Sequence, residues 1–368
     1  MQLPRFELER YFARYEFAAE YLLCASDCEA MTVGELLALE PGASEAFAAH
    51  GLGYAESAGA PALRAAVTAL YETVGPDEVL VHSGAEEAIF VFMHAALAPG
   101  DHIIVHSPCY QSLHEVARAI GAGVTPWRAD PHDGWSLDPD DLVRALGPRT
   151  RAIVLNSPHN PTGYLMDPDR YRRVVAIAED RGVWLFSDEV YRELEHDPAD
   201  RLPAACDLSE RGVSLGVMSK TYGLAGLRIG WVATHDRDLI ARMAALKDYT
   251  TICAAAPSEF LARLALAHRH ELIERNRGIV LENLDLLDRF FARHAGRFAW
   301  ARPRAGPIAF PELLDGGAEA FCRRLMERES ILLLPGTVYG HGDRHVRVGF
   351  GRSGLAPALE RLDAYLGA

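Results

Sequence analysis

The stretch VMSKTYGLAGLRIGW, residues 217–231, holds the residue type best suited to amine chemistry. Of the 37 Lys and Arg in this 368-residue chain, only Lys220 and Lys247 are lysine. A lysine amine can lose its proton and attack a carbonyl to form an imine, whereas a guanidinium stays protonated and cannot. A chain that uses arginine almost everywhere else but keeps Lys220 in a loop of small residues points to amine chemistry there. Lys247, in RMAALKDY, reads as an ordinary surface lysine.

Other polar residues complete a set. Ser83, Gly84 and Ala85, in SGAEEAIF, stand where a helix begins, and free backbone N–H groups there make a seat for an anion such as phosphate. The same residues are equally consistent with an ordinary serine-capped helix start. Asp188 follows the apolar run VWLF, Tyr191 lies three residues on, and Asn160 sits in NSPHNPTG. These three could hydrogen-bond around the edge of one planar aromatic ligand, although an aspartate at a strand end is most often a turn residue. Arg228 offers a permanent cation for phosphate. An imine-forming amine, an anion seat, a further arginine and a carboxylate suit pyridoxal 5′-phosphate, which joins to lysine and needs its pyridine nitrogen kept protonated.

The elements that must position these residues are short apolar runs at 78–82, 102–106, 151–155, 183–186, 214–218 and 228–234. Such runs read as strands buried on both faces of a mostly parallel sheet. Amphipathic stretches such as 169–182 separate most of them, which predicts an α/β fold with helices on both faces. The polar clusters begin at the C-terminal ends of their strands, where open α/β sheets bind ligands. A helical stretch at 271–294 leads to short strands such as HVRVGF, 345–350. The expected division is an N-terminal arm and part of a small domain over 1–44, a large cofactor-binding domain over 45–250, and the rest of the small domain over 251–368.

Composition excludes several classes. A net charge of −14 argues against a nucleic-acid binder. The six cysteines form no CxxC pair, the fifteen histidines form no HExxH, and HGDRH at 341–345 lacks partners, so no metal is expected. There is neither GxGxxG after a first strand nor GxxxxGK[ST]. The first 24 residues interrupt their apolar positions with charge, and no run approaches the ~20 apolar residues of a membrane span. A surface helix or arm at the N-terminus and a cytoplasmic protein without membrane attachment are the expectation.

In combination and order, NSPHNPTG, SDEVY, SKTYGLAGLRIG and HVRVGF resemble the pyridoxal-phosphate enzymes of fold type I, the aspartate aminotransferase superfamily, class I/II. The resemblance runs from roughly residue 50 to 350. It implies a large domain with a mostly parallel sheet sandwiched by helices, and a smaller α+β domain. It further implies that Lys220 forms the imine with the cofactor and shuttles the substrate proton. Asp188 pairs with the pyridinium nitrogen, Tyr191 and Asn160 bond the ring's phenolate oxygen, and Tyr110 stacks on the ring. Ser83, Gly84, Ala85, Ser219 and Arg228 hold the phosphate, with Tyr54 of GLGYAESAGAPALR reaching it across a homodimer interface. Arg347 clamps the substrate α-carboxylate bidentately, and Asn160 also binds substrate. The reaction implied moves an amino group between an L-amino acid and a 2-oxo acid.

Two departures stand out. Val217 replaces the Ser or Thr usual three residues before the lysine, removing one phosphate hydroxyl. The stretch LLCASDCEAMTVGEL, 22–36, differs from the usual N-terminal segment and resembles the capreomycidine synthase branch, which cyclises hydroxylated arginine. Asp27 and Glu29 there could receive a cationic side chain, or simply form a solvated acidic loop. A cyclase or lyase acting on a hydroxylated or guanidino amino acid is the alternative reaction. A sensor domain of a transcription regulator is not expected, because residues 1–44 are too few for a DNA-binding domain.

Overall fold

In the computed structural model, which describes residues 2–367, all six apolar runs enter one seven-stranded sheet. Its strands are β1 (Val79–His82), β2 (His102–Ser107), β3 (Gly123–Arg128), β4 (Thr150–Asn156), β5 (Trp184–Asp188), β6 (Gly212–Val217) and β7 (Gly230–Ala233). They lie in the order β1-β7-β6-β5-β4-β2-β3. Only β7 runs against its neighbours; the other pairings are parallel. The α/β architecture is as expected. The strand absent from the sequence reading is β3, GVTPWR, whose Pro126 argues against a central strand. It lies at the sheet edge, where a missing N–H is tolerated.

Alternate residues of the strands feed cores on opposite faces. Ile103, Val105, Val154 and Phe186 pack on one side, and Ile104, Ile153 and Leu185 on the other. Full burial of both faces explains why these runs are apolar at every position and do not alternate. A third apolar cluster, around Val79, Val81 and Trp231, covers the β1 end.

Four helices matter to the site: α1 (Glu7–Tyr15), α2 (Ala85–Ala96), α3 (Pro168–Arg181) and α4 (Arg269–Arg293). The ends of α3 are set by its sequence. The Asp167 side chain accepts from Asp169 N and Arg170 N, Pro168 opens the first turn, and Gly182 closes it at φ 62°. α1 is the helix expected at the N-terminus, and Tyr21–Leu22 after it pairs in parallel with Ile331–Leu332. Val346–Gly349 pairs antiparallel with both Ile308–Ala309 and Leu334–Pro335. Among the described residues no helix is long and apolar enough to cross a membrane, and no cluster of His, Cys, Asp and Glu could hold a metal.

One close approach shapes the site. Gly349 N donates to Leu23 O (2.8 Å) and Glu29 N donates to Gly351 O (2.8 Å), so residues 23–29 lie directly on the 349–351 backbone. A Cβ on Gly349 or Gly351 would strike the backbone of Ala25 or Asp27. The two glycines let the segment carrying Ser26 and Asp27 reach the sheet's C-terminal edge.

Candidate active site

The loops after β1, β2, β4, β5 and β6 converge on a cavity of about 430 Å³ at the C-terminal edge of the sheet. Its wall includes Ala85, Tyr110, Asn160, Asp188, Tyr191, Ser219, Lys220, Arg228 and Arg347, nine of the twelve residues expected there.

Lys220 lies three residues beyond β6, half-buried, and its Nζ donates to Ser26 Oγ at 2.8 Å. Burial lowers the amine's hold on its proton, with Asp27 opposing and Arg347 reinforcing the effect. Asp188 ends β5, is 6% exposed, and accepts one main-chain hydrogen bond, from Val190 N at 3.3 Å. Burial pushes its carboxyl up to about 7, against the pull of that hydrogen bond and of Lys220. A buried carboxylate so poorly satisfied is a receptor for a cation.

Two amides of the expected anion seat are already engaged. Ser83 N donates to Glu87 Oε2 (2.6 Å) and Gly84 N to His82 O (2.9 Å), so both amides are committed internally. Neither residue lines the cavity; Ala85 does. These two amides close the turn; of the residues expected to hold the phosphate, Ala85, Ser219 and Arg228 are the ones on the cavity wall. Arg228 takes a left-handed backbone, φ 52°, uncommon for a non-glycine residue. That twist lays its guanidinium against Gly84, where any side chain would collide with it. Its Nη1 donates to Ser219 Oγ at 3.4 Å. Gly230 also presses close: a Cβ there would lie 2.8 Å from Gly84 C. Val217 lines the wall without a hydroxyl.

Arg347 is 1% exposed, and its donors are already engaged. Nε and Nη2 donate to Cys24 O (3.1 and 2.6 Å), and Nη1 donates to Asn160 Oδ1 (3.2 Å) and to the Tyr339 hydroxyl. A buried guanidinium must be satisfied, and here main chain and neighbours do so. Tyr191, expected to bond a ligand oxygen, donates its hydroxyl proton to Ser26 O (2.9 Å). Tyr110 OH donates to Glu9 Oε1 (3.0 Å). Tyr54 is 93% exposed and stands outside the cavity of its own chain.

The proposed carboxylate pair also resolves differently. Asp27 lines the cavity but forms a two-pronged ion pair with Arg352 (3.0 and 2.8 Å). Glu29 accepts from Ser353 N and Oγ (both 2.7 Å), away from the cavity. The carboxylates that the sequence reading missed are Glu9 and Glu16, brought by α1 to the cavity wall with Phe12, and Glu86 on α2. Ser26 was missed as well; the spacing of Gly349 and Gly351 was the available signal, since it permits another chain to cross there. Lys247, expected at the surface, is 0% exposed and donates to Ser57 O (2.8 Å) and Ile252 O (2.9 Å).

These residues fit pyridoxal phosphate. An amine bonded only to a serine, a buried carboxylate lacking a cation, and a helix start flanked by an arginine face one space.

Comparison with known proteins agrees. Residues 23–362 match the family model of aminotransferase class I and II. The chain is 34% identical over 363 residues to capreomycidine synthase of Streptomyces vinaceus, covering 98% of this chain and 92% of the relative. It is 30% identical to the aspartate/prephenate aminotransferase of Thermus thermophilus, covering 85% and 83%. A crystal structure of a PLP-dependent aminotransferase from Streptococcus suis superposes with TM-score 0.93 at 34% identity, covering 100% and 98%.

Proposed function

The chain belongs to aminotransferase class I and II, and from that membership we propose how its residues divide the work. It is a pyridoxal-5′-phosphate-dependent enzyme that moves an amino group between an L-amino acid and a 2-oxo acid. The bound cofactor supplies the electron sink that lets a substrate α-carbon release its proton. Lys220 Nζ is the attachment point and, when free, the base that takes and returns that proton; burial lowers the amine's hold on its proton. Asp188 holds the ring nitrogen protonated. Asn160 and Tyr191 orient the ring's oxygen, and Tyr110 covers a ring face. Ala85, Ser219 and Arg228 seat the phosphate, with Ser83 and Gly84 shaping the turn. Arg347 receives the substrate carboxylate through donors shared with Asn160 and Tyr339.

Tyr54 completes the phosphate seat of a second copy, making the protein a homodimer with shared sites. Its exposure, with that of Leu52 (86%) and Tyr249 (92%), supports this reading. Residues 45–250 act as the cofactor-binding domain, with the arm and the last third as the smaller one.

The observation that carries this reading is Lys220 and Asp188 on one cavity wall. Mixing the loaded protein with acidic, aromatic, aliphatic and guanidino amino acids, and following absorbance, identifies the donor; Lys220→Ala should respond to none. A cyclase or lyase is the second reading, supported by the identity with capreomycidine synthase and by Glu9 and Glu16, which suit a cationic substrate end. Sustained turnover only when a 2-oxo acid acceptor is supplied supports transamination. Sustained turnover without one supports the second reading.

A further inference from the structure

The second lysine, itself buried, belongs to a hydrogen-bonded network that touches both segments assigned to the phosphate. Lys247 closes the helix Arg237–Lys247, and its Nζ donates to the carbonyls of Ser57 and Ile252. Its own carbonyl accepts from Thr250 N (3.0 Å) and Ile252 N (3.1 Å), while Ile252 turns at φ 65°. The 250–252 turn then reaches Glu87: the Thr250 and Thr251 hydroxyls both donate to Glu87 Oε1 (2.5 and 2.7 Å). Glu87 Oε2 in turn accepts from Ser83 N.

One chain of contacts therefore runs from Ser83, through Glu87, the threonine turn and Lys247, to Ser57, three residues from Tyr54. The stretch after Ser57 is fixed to the sheet, since Val81 N donates to Ala58 O (3.0 Å) and Ala60 N donates to Glu259 Oε2 (2.8 Å). Tyr54 projects from this anchored base. Glu87 is held ionised, at about 2: burial opposes its charge, but His82, Thr250, Ser83 N and Thr251 outweigh it.

We infer that Lys247 is a positioning residue for the cofactor phosphate, holding the Tyr54 segment and the Ser83–Ala85 turn in fixed register through Glu87 and the 250–252 turn. The inference rests on the reading of Ala85, Arg228 and Tyr54 as the phosphate seat.

The test compares binding of pyridoxal 5′-phosphate with that of pyridoxal, which lacks the phosphate, by absorbance titration of dialysed protein. Lys247→Met should weaken the phosphorylated ligand roughly 10-fold and leave pyridoxal unchanged. In the double variant with Tyr54→Phe the losses should fall short of their product, because one acts through the other. Equal weakening of both ligands, or of neither, overturns the inference. Should Lys247→Met fail to fold, Thr251→Val decides: a few-fold loss confined to the phosphorylated ligand supports the network, and no such selectivity overturns it. If Arg228→Ala in the otherwise unchanged protein also leaves the preference for the phosphorylated ligand intact, it is the underlying seat assignment that fails.

Discussion

The two lysines sit in buried polar surroundings that differ in one respect. Lys247 Nζ is spent on two main-chain carbonyls, as a buried ammonium ordinarily must be. Lys220 Nζ has a single hydroxyl partner and faces an open cavity. Two carbonyl acceptors fix the Lys247 amine in place and let it organise a loop, although burial lowers its hold on a proton as well. A cation given one weak acceptor, under desolvation, is prepared to become a neutral amine. Partner chemistry separates the roles here, whereas burial alone does not.

The sharpest way to break that contrast is to remove each amine. Lys220→Ala should lower turnover at least about 10³-fold while leaving urea stability near that of the parent. Lys247→Ala should instead cost stability, about 2–4 kcal/mol because two carbonyls lose their donor, with turnover near that of the parent once pyridoxal phosphate is saturating. Equal stability losses in the two variants would remove the distinction. Next comes Asp188→Asn, expected to cut turnover by about 10²-fold through loss of the charge facing the ring nitrogen.

The same residue gives a pH test. In protein stripped of cofactor, the folded state holds a proton on Asp188 up to about pH 7, whereas the unfolded chain releases it near its ordinary value of 3.8. The folded state thus binds more protons in that window, and stability should fall as pH rises from about 4 to about 7. Melting temperatures should show this slope shallower in Asp188→Asn; an unchanged slope would assign it to other groups. Gly349→Ala should cost about 1–3 kcal/mol by pushing residues 23–27 off their track. Ser26→Ala should have the smallest effect, a few-fold change in turnover with an altered pH optimum, since only the lysine's hydroxyl partner is lost.

What was legible in the sequence was local. Asp188 ends a buried strand, and Lys220 and Asn160 each follow one within a few residues, so finding the strand nearly placed the residue. The families of contacts that cross the chain were not legible. Ser26 meets Lys220 across 194 positions, and Glu9 meets Tyr110 across 101, through topology that leaves no periodic trace. Lys247 looked superficial because a helix-terminal lysine normally is; its partners, the carbonyls of Ser57 and Ile252, leave no trace in the spacing. β3 was hidden by its own proline. The state of Arg347 was hidden for another reason: residue type announced an anion receptor, but not that Cys24 would occupy its fork.

Helix α4 carries a further consequence. Asn276 Nδ2 donates to Thr221 O (2.9 Å), next to Lys220, and Asn283 Nδ2 donates to Phe350 O (2.9 Å) and Arg352 O (2.8 Å), beyond Arg347. Seven residues separate the asparagines, so both lie on one side of the rod, about 10 Å apart along its axis. The helix is thus a ruler whose two marks set the spacing between amine and guanidinium. Inserting a single residue between the marks would swing one of them by about 100° and leave the gauge reading at only one end.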